Sequence, residues 1–255
     1  NQYERDRVRR LMRALYNRYD GVFVLNNEHK DWLTGHEMQL KEEKVFLTAH
    51  HTQPRDVGLH KVSKASIIPG ANDDTPVLFI ACRLSKEKGI LDLPEIVERA
   101  KKRIPKLRIV VAGSGPAQEQ LKQILPDAIF LGWQNKKQLA ALYLSLDLFV
   151  FPSRFDTFGN VILEAFVHGM PAIAYNCKGP KDIIQHNKNG YLVDDIAGMS
   201  SKIIEYFLHS DIQHNMQKNA LQRASEYQAE PIMQQFLQDM GLELPIMYNN
   251  QRTVA

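Results

Sequence analysis

From residue 75 onward, short continuous apolar runs alternate with longer stretches that are apolar on one side only. VLFIAC (77–82), LRIVVAG (107–113), AIFLG (128–132), LFVF (148–151), PAIAY (171–175) and YLV (191–193) read as buried strands. Residues 91–103, 116–125, 136–146, 159–169 and 180–186 carry helical periodicity between them, and helices follow near 196–208, 211–227 and 230–240. Continuous apolar strands alternating with amphipathic helices predict an α/β fold with a parallel sheet covered on both faces. Sheets of this kind bind ligands beyond the carboxyl ends of their strands. The loops that begin at 83, 113, 132, 152 and 176 therefore line one rim.

The first part of the chain is less regular. Residues 2–18 read as a basic helix with Leu11, Leu15 and Tyr16 on its apolar side. GVFVLN (21–26) and KVFLTAH (44–50) read as strands, with a helix over 27–36 between them. The polar stretch 51–75, with Gly58, Pro69 and Gly70, reads as a linker, with a domain boundary near 70. Two strands and two helices do not make a well-covered sheet, so we expect further sequence before residue 1, or a partner that completes it. The opening NQYERDRVRR has no apolar segment after its charges and does not resemble a signal peptide. No apolar run reaches the length of about 18 residues that a spanning helix needs.

Hydrophobic content of 44% and charged content of 24% describe an ordinary globular composition, and the net charge of +3 is compatible with a phosphate-bearing ligand. Positive charge concentrates in Arg5, Arg7, Arg9, Arg10, Arg13 and Arg18. A helix face of this kind is set against solvent or anionic lipid more often than against nucleic acid, which is not expected as a partner. Cys82 and Cys177 are far apart and spell no metal site, and His50, His51 and His60 lack a zinc spacing. The cysteines fit a reducing compartment, so the expected location is cytoplasmic, with peripheral contact at the cytoplasmic face of a membrane left open.

Candidate chemistry lies in the rim loops. The segment V150-F-P-S-R-F-D-T-F-G-N-V-I-L-E-A165 runs from a strand through a turn into an apolar helix. Free backbone N–H groups at that helix start can hold an anion while Asp156 and Glu164 read hydroxyls around it. Asp156 has a plainer reading as a helix cap, and Glu164 as a surface acid. Against the latter, Glu164 sits in a nearly all-apolar run, where a carboxylate wants a partner. R83-L-S-K-E-K-G89 brings Arg83, Lys86 and Lys88 to the same rim, either as phosphate ligands or as a solvated basic loop. VAGSGP (111–116) is a weak match to a dinucleotide fingerprint; Gly115 there serves close backbone approach. Trp133 stacks on a base or caps the core. In C177-K-G-P-K-D182, Asp182 reads first as a helix cap.

Taken in this order and spacing, R83-L-S-K-E-K-G, V111-A-G-S-G-P, F155-D-T-F-G-N-V-I-L-E-A-F-V-H-G-M-P-A-I-A-Y175 and G179-P-K-D-I-I with N189-G-Y-L-V resemble the family-four (group 1) retaining glycosyltransferases. The likeness covers roughly 70–240 and, more faintly, 1–60. It implies a two-domain GT-B fold of Rossmann-like sheets. Residues 1–70 would be the end of the acceptor-binding domain and linker, 71–235 the donor-binding domain, and 236–255 the end of a crossing helix and tail. It also implies a nucleoside-diphosphate sugar as substrate, with no cofactor and no metal, and a glycan, lipid or small-molecule acceptor. Arg83 and Lys88 would clasp the diphosphate, and the helix start from Gly159 to Val161 would add backbone N–H groups. Asp156 and the backbone of Phe158, Gly159 and Asn160 would position the sugar, and Glu164 would hold the ribose. The family usually has Glu where this chain has Asp156, a difference of one methylene in reach. A glycoside phosphorylase, a nucleotide-sugar epimerase and a non-catalytic nucleotide-binding module are the competing classes.

Overall fold

A computed structural model describes residues 2–52 and 58–242, with the side chains of 2–5 left aside. Contacts divide the chain into two compact units, Asn1–His51 with Ala229–Ala255, and Thr52–Gln228.

The smaller unit holds α1 (Gln2–Tyr16), β1 (Val22–Val24), α2 (Asn27–Thr34) and β2 (Val45–Leu47). The two strands pair in parallel, Phe23 opposite Phe46. Asn26 caps α2 by accepting the His29 N–H, as an Asn before a helix should. Val24, Leu33, Met38, Leu40 and Val45 form the core, with Met12 and Tyr16 of α1 packed against it. The expected apolar side of α1 is therefore only partly right. Tyr16 faces inward, but Leu11 is 71% exposed and Leu15 is exposed with it. The apolar stripe of α1 is wider than a two-stranded sheet can cover, so one flank stays uncovered.

In the larger unit follow α3 (Lys64–Ile67), β3 (Val77–Ala81), α4 (Leu93–Lys101), β4 (Arg108–Ala112), α5 (Gln118–Ile124), β5 (Ile129–Gly132), α6 (Lys136–Ser145) and β6 (Leu148–Phe151). Then come α7 (Asn160–Val167), β7 (Ala172–Tyr175), α8 (Pro180–Ile183), β8 (Gly190–Val193), α9 (Ile196–Leu208) and α10 (Ser210–Ser225). The last helix, α11 (Ala229–Asp239), returns to the smaller unit. The crossing-helix end and tail expected at 236–255 lies outside the described residues from 243 on.

The sheet is parallel, in the order β5-β4-β3-β6-β7-β8. Both its faces are buried, which is why its strands read as unbroken apolar runs. Leu78 and Ile80 point into one core layer with Val111, Val150 and Ile173. The alternate residues Phe79 and Phe149 face the other way, their ring centroids 6.0 Å apart, with Tyr143 of α6 5.3 Å from Phe79. The chain leaves β3 toward β4 and β5, then returns to lay β6 on the other side of β3. That reversal opens a crevice at the carboxyl ends of β3 and β6, the place where doubly wound sheets bind ligands.

Residues 58–75, expected to be linker, belong to the larger unit instead, so the compact division falls at 51/52 and not near 70. Lys64 is the reason. Its buried amine donates to both carboxylate oxygens of Asp147 at 2.8 and 2.7 Å, and to the Thr75 carbonyl at 2.8 Å. All three ammonium donors are satisfied, so the segment is ordered by an ion pair that its polar composition does not reveal.

Candidate functional site

The site is built where loops after β3, β4, β6 and β7 lock together, and glycines make the lock. Gly89 ends the loop after β3 in the left-handed region (φ +66°), and a Cβ there would lie 1.8 Å from the Pro152 carbonyl oxygen. Gly115 passes so close to the same loop that a Cβ would meet the Leu84 oxygen at 2.4 Å. The Leu84 N–H donates to Ser114 O at 3.0 Å, and Ala117 N–H to Leu84 O at 2.9 Å. Gly179 abuts Asp156 and Phe158, with backbone atoms 3.0 Å from its would-be Cβ. Gly115 thus packs its backbone against Leu84.

The loop after β6 carries Asp156. Its carboxylate accepts from Lys88 Nζ at 2.8 Å and from the Phe158 N–H at 3.2 Å. The cap reading of Asp156 is thereby corrected. The residue before α7 is Gly159, left-handed at φ +98°, and no side chain caps the helix. The first N–H groups of α7, from Asn160 and Val161, thus have no side-chain cap at the crevice. Phe158 is buried, its ring edge-to-face with Tyr227 at 6.2 Å. Arg83 is exposed beside the crevice. Asp182, read first as a cap, lies within the first turn of α8, whose capping position is Gly179 without a side-chain bond.

Glu164 is open to solvent on α7, yet it lies in a recess. Desolvation there raises its carboxyl above the ordinary range, opposed by a hydrogen bond from the Tyr143 hydroxyl (3.5 Å) and by the charge of Lys136. By surface area the side chain is exposed, while the neighbouring protein still displaces enough water to shift its titration; the direction follows from the recess. Trp133 is 74% exposed at the start of the loop after β5. It does not cap the core.

Three participants escaped the sequence reading. Arg154 lies 2.9 Å from Asp92 and covers the Tyr175 ring at 4.1 Å, while the Tyr175 hydroxyl donates to Asp92 at 2.7 Å. This cluster braces the turn after β6, and the only signal was Arg154 standing between Ser153 and Phe155. Tyr143, the partner of Glu164, reads in sequence as a core residue of α6. The thiol of Cys82 faces the same rim, and burial pushes its pKa up to about 12 despite nearby Lys88, so it stays protonated at neutral pH.

A second open cavity, of about 600 Å³, lies at the opposite end of the sheet beside Lys64, Pro76, Arg103 and Asp147. The residues before β3 and β6 line it, so it is away from the carboxyl rim. Among the described residues, no group of His, Cys, Asp or Glu side chains could hold a metal ion, and no helix is long and apolar enough to cross a membrane.

The family model described as "Glycosyl transferases group 1" matches residues 62–223. The chain belongs to the group 1 glycosyl transferases. It is 40% identical over 112 residues to a GDP-mannose-dependent alpha-mannosyltransferase of Corynebacterium glutamicum, covering 44% of this chain and 26% of that one. It is 26% identical over 224 residues to the GtfA subunit of a UDP-N-acetylglucosamine–peptide N-acetylglucosaminyltransferase of Streptococcus pneumoniae, covering 84% and 44%. The chain spans less than half the length of these relatives. The crystal structure of Anabaena Alr3699/HepE in complex with UDP superimposes with a TM-score of 0.76 at 20% identity, over 92% of this chain and 68% of that one. The fold is accordingly GT-B-like, with Rossmann-like parallel sheets flanked by helices.

Proposed function

We propose that this chain is the donor-binding part of a retaining glycosyltransferase of family four, which passes a sugar from a nucleoside diphosphate to a hydroxyl of a glycan, lipid or small-molecule acceptor. The observation that carries the reading is the crevice between β3 and β6. There Arg83 is exposed on the loop after β3, Lys88 of the same loop bonds Asp156 on the loop after β6, and that loop leads into the uncapped start of α7, which supports placing an anion at the switch point of the sheet. A diphosphate fits that charge. Glu164, one turn further along α7, takes the ribose hydroxyls, and Trp133 offers a face to the base. Asp156 and the backbone of Phe158, Gly159 and Asn160 take the sugar. The residues before Thr52, with α11, are the end of the acceptor-binding domain. The expected setting is cytoplasmic.

The chemistry asks for charge placement. The anomeric C–O bond to the diphosphate breaks, leaving positive charge on the sugar and negative charge on the leaving oxygen. Arg83, Lys88 and the α7 terminus stand where that negative charge grows. The acceptor hydroxyl attacks on the face the diphosphate vacates, its oxygen bonds to the anomeric carbon, and its proton passes to the departing phosphate. Retention then needs no protein nucleophile, and the protonated Cys82 thiol is not one.

Calorimetry with UDP, GDP and ADP tests the reading. Saturable binding of at least one, weakened by Arg83→Ala and by Lys88→Ala, is expected. A charge-assisted contact is worth about 1.5–3 kcal/mol, so each variant should lose about 12- to 160-fold in affinity. A folded chain that binds none of the three would overturn it, and transfer from a sugar phosphate alone would point to a phosphorylase.

A further inference from the structure

A chain of contacts joins the loop at Phe158 to the two places where the polypeptide passes between its compact units. Those places are the boundaries at 51/52 and 228/229. Thr52 and Tyr227 stand beside them and are bonded to each other. The Thr52 N–H donates to the Tyr227 carbonyl at 2.7 Å, and the Thr52 hydroxyl to the same oxygen at 3.1 Å. The ring of Tyr227 meets Phe158 edge-to-face, and its hydroxyl donates to the Asp182 carbonyl at 3.2 Å. Arg223 holds the ring in place. Its guanidinium lies 5.0 Å from the Tyr227 centroid, donates to the Tyr227 hydroxyl at 2.9 Å, and reaches the Asp182 and Ile183 carbonyls at 2.8 and 3.0 Å. Gly179, just before α8, closes the circuit by packing directly on Asp156 and Phe158.

We infer that Tyr227 is a positioning residue that couples the sugar-reading loop 156–160 to the clamp between Thr52 and Tyr227. The inference rests on the donor site proposed above and goes beyond it. The argument is one of shape. Phe158 is buried and next to Gly159, whose left-handed backbone aims the first N–H groups of α7. A sugar held by Asp156 and the backbone of Phe158 and Gly159 fixes the Phe158 ring, and the ring has Tyr227 at its edge. Tyr227 in turn carries the carbonyl that holds Thr52. The diphosphate and ribose contacts at Arg83, Lys88 and Glu164 bypass this route, so the coupling belongs to the sugar end of the donor.

Amide hydrogen exchange at Thr52 in the full chain tests the coupling, with UDP-glucose, UDP-N-acetylglucosamine and GDP-mannose as probes. Mutational coupling through such contacts amounts to about two- to thirtyfold, and slowing of Thr52 exchange in that range is expected when a nucleotide sugar binds. Tyr227→Phe, which keeps the ring, should retain the slowing. Tyr227→Leu should lose it while binding free nucleoside diphosphate within about twofold of the parent, and its sugar-specific gain in affinity should fall with it. Phe158→Leu, which cuts the contact from the other side, should uncouple Thr52 in the same way should Tyr227→Leu fail to fold. It should also speed Thr52 exchange without any ligand. A parent that binds a nucleotide sugar with no change at Thr52, or a Tyr227→Leu protein that keeps the full response, overturns the inference alone. A parent that binds no nucleotide overturns the donor-site reading. In that case Thr52 exchange left unaltered by Phe158→Leu overturns the contact route as well.

Discussion

Asp156→Asn should raise affinity for a free nucleoside diphosphate while lowering it for the intact nucleotide sugar. Asp156 accepts from Lys88 at 2.8 Å, with side-chain exposures of 19% and 29%. Binding a diphosphate must draw Lys88 off this carboxylate and bring anionic oxygens near it. Asn keeps the oxygen that accepts the Phe158 N–H and removes the charge, so the loop geometry is preserved. A partly exposed pair is worth about 0.2–1 kcal/mol, so freeing Lys88 should tighten nucleotide binding about 1.4- to 5-fold. The sugar loses a charged acceptor for its hydroxyls, at about 1.5–3 kcal/mol, and should lose about 12- to 160-fold of its added affinity. Isothermal titration with the same nucleotide, bare and sugar-bearing, reads both effects. The tightening should shrink in the Lys88→Ala background, because no amine is left to free and only the repulsion between carboxylate and phosphate is relieved. Equal weakening of both ligands would refute the division of roles between Lys88 and Asp156.

Two further outcomes follow from titratable groups. Glu164 has a raised carboxyl pKa and accepts ribose hydroxyls more strongly when ionised, so nucleotide affinity should fall on acidification at a pH above the ordinary carboxylate value; Tyr143→Phe removes the opposing hydrogen bond and should move that fall to higher pH, whereas Glu164→Gln should abolish it, as calorimetry across pH would show. Lys64→Met leaves the desolvated Asp147 carboxylate with the Val77 N–H at 2.8 Å and should cost about 3–5 kcal/mol in denaturant unfolding. Loss of Lys64 raises the folded-state pKa of Asp147 further, so the folded state binds the proton more tightly than the unfolded one. The deficit should then be small in acid and grow as pH rises through that pKa, and a pH-independent cost would contradict the assignment.

The sheet was legible because its strands are buried on both faces, and continuous runs such as VLFIA or LFVF have few other readings. The rim loops were legible for the same reason, since topology places strand ends together. What escaped depended on partners distant in sequence. Tyr143 and Glu164 are on separate helices, and nothing local marks Tyr143 as other than core. Lys64 looked like a linker residue because its partner Asp147 stands across the fold. Leu11 and Leu15 failed for the opposite reason. Helical periodicity says which residues share a side of α1, but it cannot say how much of that side a two-stranded sheet will cover.

Backbone and charge play separate parts at this site. The glycines at 89, 115 and 179 leave no free space for a Cβ, so the loops after β3, β4, β6 and β7 pack backbone to backbone. Among the charged groups, Lys88 and Asp156 are occupied with each other, and a donor bound as proposed would exchange that contact for its own. A diphosphate can satisfy Lys88, but it offers nothing to Asp156, which accepts hydrogen bonds and has no proton to give. Only a ligand with a hydroxyl beyond the diphosphate satisfies both halves of the broken pair. If the donor binds as proposed, the pair favours a nucleotide that still carries its sugar over one that has lost it, and so favours release of the spent nucleotide after transfer.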